Sequence, residues 1–195
     1  MKTYTSFQEL DALGEGLAKK YTGNTHRWNS SCFDIEGFIT DFLKLPILYE
    51  AFAEDDPSKI GFLSDGITPL IVYRAGKKTP VVFPKDTIVI ESFLQRSDES
   101  GRRRFTLAHE AAHFILNRHV PMQTACFHNE YDHEFHYSGE ELAKMFSLNE
   151  TLTNRLGVAV LMPPFLVGRA LKKYNNGQPI VYYTEGVFAP DTKIR

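Results

Sequence analysis

The run His109-Glu110-Ala111-Ala112-His113 carries residue types at a spacing that dictates chemistry. On a helix, residues four apart share one face about 6 Å apart along the axis, so both imidazoles can reach a single ion. Zinc accepts neutral imidazole nitrogen at about 2.0–2.1 Å and in catalytic sites keeps one position open for water. Glu110 stands about 100° round the helix from His109, where it reaches that water rather than the metal. There it can take the water proton while a carbonyl is attacked and pass it to the leaving amine. With 7 His in 195 residues, the pattern arises by chance about 0.02 times. The competing reading, two core histidines satisfied by backbone carbonyls with Glu110 at the surface, leaves a His-Glu-His trio unexplained on an apolar helix. Phe105, Leu107, Ala108, Ala111, Ala112, Phe114, Ile115 and Leu116 make that helix apolar nearly all the way round, and unpartnered polar groups there cost several kcal/mol.

A third ligand must come from elsewhere. His119 has the spacing of the longer HExxHxxGxxH pattern, but Leu116 stands where that pattern needs a glycine to turn the helix, so His119 is rejected. Cys126, His128, Asp132, His133, Glu134 and His136 crowd a polar segment, where precise placement is harder. Glu150 is favoured. It shares a helical face with Asn154 and precedes TNRLGVAVLMPP, an apolar run that must pack in the core. An oxyanion-stabilising donor is also expected, with Tyr131, His133, His136 and Tyr137 as undistinguished candidates.

The elements that must position these groups follow from periodicity and caps. Ser6 with Glu9 forms a capping-box signature and opens a helix to about Lys20, followed by a polar loop from Tyr21 to Ser31. A second helix is predicted from Asp34 to Leu43, stopped by Pro46. Ile47 to Ser92 reads as short strands, ILYEAFA, IGFLS, PLIVYRA, VVF and TIVIES, with turns at Asp65-Gly66 and Ala75-Gly76-Lys77-Lys78. The motif helix spans Arg102 to Arg118. Ser138 and Glu141 open another helix, running with a break near Ser147-Leu148-Asn149 to about Leu161, and FLVGRALKKY forms a short one beyond Pro163-Pro164. The expectation is an α+β, zincin-like domain with a small, mostly antiparallel sheet and an HExxH helix. One domain covers residues 1–195, its core about 30–165, with a short helix and tail over 163–195.

Composition narrows the class. Hydrophobic residues are 43%, charged 24% and aromatic 13%, a globular balance, and the net charge of -2 gives no reason to bind a polyanion. Direct nucleic-acid binding is therefore not expected. Two cysteines, Cys32 and Cys126, make no disulfide framework. Without an apolar leader or a membrane-length run, a cytoplasmic protein is expected.

RRRFTLAHEAAHFIL followed by Glu150, Asn154 and Leu161-Met162-Pro163 resembles the ImmA/IrrE metallopeptidases, and FDIEGFITDFLKLPI upstream is similar as well. The likeness covers most of residues 30–165. It implies a zinc endopeptidase with His109 and His113 as ligands, Glu110 as base and Glu150 as third ligand. The implied substrate is a transcriptional repressor of a mobile element or stress regulon, whose helix-turn-helix belongs to a partner. Asn117 stands where relatives often have His, Ala111-Ala112 where they have Leu-Gly, and Leu156-Gly157-Val158 where they have Phe-Ala-Ala; segment 119–137 looks like an insertion. The alternative is a metal-binding regulatory module that binds a repressor without hydrolysing it. Retention of Glu110 favours catalysis, since a purely structural site has no use for an acid there.

Overall fold

In a computed structural model, residues 6–25, 32–119 and 139–176 are described, with side chains of the last stretch described from Asn149 onward. Helix α1 (Phe7–Asn24) opens on the expected capping box. Ser6 N–H donates to Glu9 Oε2 at 2.9 Å, and Glu9 N–H donates to Ser6 Oγ at 3.3 Å. The helix runs past Lys20, against the expectation of a loop from Tyr21. Thr22 explains the difference, because its hydroxyl bonds back to the Ala18 carbonyl at 2.8 Å and so can be buried within the helix. Tyr21 turns its ring into Phe33, Phe38 and Phe42, with centroids 5.6–6.0 Å away, and its hydroxyl donates to Asp34 at 3.1 Å.

Asp34 caps α2 (Ile35–Gly37) by accepting from Gly37 N–H at 3.1 Å. The predicted second helix continues only as a π-helical turn, Phe38–Leu43. Lys44, at φ 62°, ends it before Pro46 is reached.

Strands β1 (Ile47–Glu50), β2 (Gly61–Leu63) and β5 (Ile88–Glu91) form one sheet in the order β1-β5-β2. β5 pairs parallel with β1 and antiparallel with β2, so the predicted single, mostly antiparallel sheet is corrected in part. A separate hairpin joins β3 (Leu70–Arg74) to β4 (Lys77–Val81). Its turn is Ala75-Gly76 alone, both at positive φ, as a two-residue hairpin turn demands. Lys77 and Lys78 therefore begin a strand rather than finish a turn, and of the predicted strand VVF only Val81 is paired.

β5 is central and buried on both faces. Ile88 and Ile90 join the main core with Leu10, Phe38, Leu107 and Leu156, while Val89 points the other way, to Leu70, Val72 and Phe83 under the hairpin. Helix α3 (Ser100–His119) packs on this sheet, and helix α4 (Gly139–Leu161) packs across α3 and α1 without the break expected near Asn149. Helix α5 (Pro164–Asn175) follows, with Pro at its first position. The result is a mixed α+β fold with small sheets. Among the described residues no helix is long and apolar enough to cross a membrane.

Candidate metal centre

Helix α3 buries Leu107, Ala108, Ala111, Ala112, Phe114, Ile115 and Leu116, as its periodicity predicts. Phe105, counted with them from the sequence, is instead 43% exposed and lines a cavity beside Ser58 and Lys59. His109 and His113 sit one turn apart on the face that looks toward α4, with ring centroids 4.6 Å apart and planes at 85°. Their Nε2 atoms approach to 3.0 Å. Glu150, near the middle of α4, places Oε2 at 3.2 Å from His109 Nε2 and Oε1 at 3.5 Å from His113 Nε2.

Glycine makes that meeting of helices possible. A Cβ on Gly157 would lie 3.3 Å from the backbone carbon and oxygen of Ala108 and 3.4 Å from the nitrogen of His109. A larger residue would hold α4 away from the turn that carries the histidines.

The donor atoms suit a tetrahedral cation. Four ligands at about 2.0–2.2 Å from a common centre lie roughly 3.3–3.6 Å from one another, close to the separations of these three groups. The hydrogen-bond pattern agrees. His109 Nδ1 is 3.0 Å from Asn154 Oδ1; an amide oxygen only accepts, so Nδ1 donates to it and Nε2 is the ring nitrogen left facing the cluster. Thr153 Oγ1 stands 3.4 Å from His113 Nδ1 and can fix that ring likewise. Burial, then the neighbouring His109, pushes the His113 pKa down against the opposing pull of Glu150, favouring the neutral ring a metal needs.

Glu110 is not one of the three clustered groups. It is 7% exposed and lies against strand β2, where any side chain on Gly61 would collide with its Oε1 and come within 2.7 Å of Thr106 Cγ2. Burial first, and the charge of Glu150 second, lift its pKa to about 8, opposed by the Leu63 backbone N–H and by Lys59. His109, Glu110, His113 and Glu150 all line one cleft of about 380 Å³ whose opposite wall is Gly61, Phe62 and Leu63.

Of the residues singled out from the sequence, His109, Glu110, His113 and Glu150 thus meet in one cleft. His119 ends the continuing helix α3. Cys126, His128, Tyr131, Asp132, His133, Glu134, His136 and Tyr137 lie outside the described residues. Asn154 and Thr153, which hold the outer nitrogens of the histidines, were not picked out as ring partners, although the shared face of Glu150 and Asn154 was a signal. Gly61 and Leu63 carried none.

In this mixed α+β chain two histidines and a carboxylate converge from two packed helices, where they could hold a metal ion. Residues 87–178 match the peptidase family described as the IrrE N-terminal-like domain, the likeness that the motifs implied. Searches of curated proteins and of solved structures gave no match.

Proposed function

We propose that the protein is a zinc-dependent endopeptidase of zincin-like fold, with His109, His113 and Glu150 as metal ligands and Glu110 as general base. The observation that carries this reading is the convergence of two imidazole nitrogens and a carboxylate at separations a tetrahedral ion would bridge, beside a second, buried carboxylate in the same cleft. Zinc held there would supply Lewis-acid polarisation of the scissile carbonyl and of the attacking water. Everything else falls to the chain. Glu110 accepts the proton of the water and hands it to the departing amine.

Strand β2 supplies the alignment. Ile60 accepts from Glu91 N–H and Ser64 donates to Thr87, so Phe62 also bonds inward to β5 while the backbone groups of Gly61 and Leu63 face the cleft. An extended peptide added to that edge runs over Glu110. A cytoplasmic helix-turn-helix repressor is the proposed substrate, on the family resemblance alone; no direct contact with nucleic acid is proposed.

The test pairs metal analysis with cleavage of a proteome-derived peptide library. Zinc-loaded protein should cut the library and a chelator should stop it. Glu110→Gln should keep one zinc and lose about 10²–10⁴-fold in rate. Unchanged cleavage by Glu110→Gln refutes the base assignment. Absence of products from the zinc-loaded native chain refutes the peptidase reading and leaves a regulatory metal module.

A further inference from the structure

Three cavities follow strand β2 in series. One of about 280 Å³ borders Ser58 to Gly61 and shares Gly61, His109 and Glu110 with the central cleft. A third, of about 260 Å³ and more enclosed than the others, begins at Leu63 and Asn117, where the central cleft ends. It runs on to Asp65, Lys85, Asp86 and Arg118, with Phe114 as an apolar wall.

The charges of this third pocket balance formally but not chemically. Both carboxylates are already engaged. Asp65 accepts from the N–H groups of Ile67 and Thr68 at 2.8 and 2.7 Å and from the Thr68 hydroxyl at 2.7 Å. These bonds, those to Thr68 foremost, hold its pKa down at about 2. Asp86 accepts from Arg118 Nη2 at 3.1 Å. The cations are under-used. Lys85 makes no hydrogen bond or ion pair among the described residues. Arg118, lying 4.6 Å over the Phe114 ring, shows a bond from Nη2 alone, leaving other donors of its planar fork.

We infer that this pocket is a subsite for an acidic side chain, Asp or Glu, of an extended peptide lying along the free edge of β2. A carboxylate there meets unspent donors from Lys85 and Arg118, whereas a basic side chain must compete with Arg118 for Asp86. Leu63 lies two residues beyond Gly61, about 7 Å along the strand, so the acidic residue falls within two positions of the bond held over Glu110. The peptide's placement rests on the endopeptidase reading; the pocket's charge preference does not.

The full-length Glu110→Gln chain, with zinc supplied, is titrated with fluorescent extended peptides that differ only by Glu, Gln or Lys at one swept position. At one register Glu should bind about 10-fold more tightly than Gln, the scale of one hydrogen bond to a charged group. Adding Lys85→Gln should remove that preference and Lys85→Glu should turn it toward Lys, with zinc content unchanged in both as a check on folding. Equal binding of Glu and Gln peptides at every position, a preference that survives Lys85→Glu, or no binding of any peptide overturns the subsite. Library cleavage by the native chain separates the two ideas. Cutting without acidic enrichment sinks the subsite alone, and acid-selective binding without cutting sinks the peptidase reading alone.

Discussion

Helices α3 and α4 meet at the same cleft but bring their groups to it by different means. On α3 the histidines are neighbours through one turn of backbone, so their geometry is set locally once the helix forms and its apolar sides are buried. On α4, Glu150 is a half-exposed carboxylate whose partners lie about forty residues away. Its position depends on how closely two helices pack. The first half of the site is written in spacing, the second in packing, and the second is therefore the easier to break.

The largest effect separates the ligands themselves. Glu150→Ala should fold, because the side chain is largely solvated, yet lose zinc affinity by more than the roughly 10–100-fold that follows loss of an outer-shell partner. Competition with a chromogenic chelator measures it. A full equivalent of tightly held zinc in the variant would move the third ligand into segment 126–136.

Next comes the packing itself. Gly157→Leu forces a branched side chain against the backbone of Ala108 and His109. Overpacking of this kind costs about 1–3 kcal/mol, read as a fall in denaturation midpoint, and zinc affinity should drop with it because Glu150 is carried outward. A variant with native zinc affinity would mean that α4 reaches the site without the close approach at Gly157.

How much of this could be read without coordinates follows the same division. Local signals served well: the Ser6–Glu9 box, the four-residue spacing of His109 and His113, and the apolar run of α3, while the turn predicted over Ala75 to Lys78 was two residues too long. Polar residues misled where they are satisfied by the helix itself, as Thr22 is on Ala18, so a loop was expected where α1 continues. The π turn at Phe38–Leu43 and the parallel pairing of β1 with β5 were not legible, since one depends on burial of Phe38 and Ile39 and the other on partners forty residues apart. Nor was the cleft wall. Gly61 and Leu63 lie upstream of the family match at 87–178, and nothing in their residue types marks a strand edge facing Glu110.

A smaller change tests the outer shell of α3 through a residue of α4. Asn154→Ala removes the acceptor that holds the His109 Nδ1 proton, so the ring is free to turn or change tautomer. Zinc affinity should fall about 10–100-fold, with the denaturation midpoint of the metal-free protein nearly unchanged. Asn154→Asp, which keeps an acceptor, should restore most of the loss. Equal affinities in all three proteins would show that packing alone orients His109.

The smallest effect lies on the far side of α4, where Arg155 grips Asp11 of α1 in a two-pronged ion pair, Nε to Oδ1 at 2.7 Å and Nη2 to Oδ2. Both side chains are more than 40% exposed, so solvent screens the pair and Arg155→Ala should lower stability only slightly. Its pH dependence has a definite sign. The hydrogen bond from Arg155, and secondarily its charge, hold the Asp11 pKa below the usual 3.8. A carboxyl with a depressed folded pKa stabilises the fold above its unfolded value, and that stability fades as pH falls from about 3.8 through the lower folded value. Native and Arg155→Ala proteins should therefore differ slightly in urea midpoint at neutral pH and converge in acid, with zinc affinity identical throughout. If zinc affinity moved with this pair, the register of α4 on α1 would govern the site as strongly as its contact with α3, and the division drawn between the two helices would be too sharp.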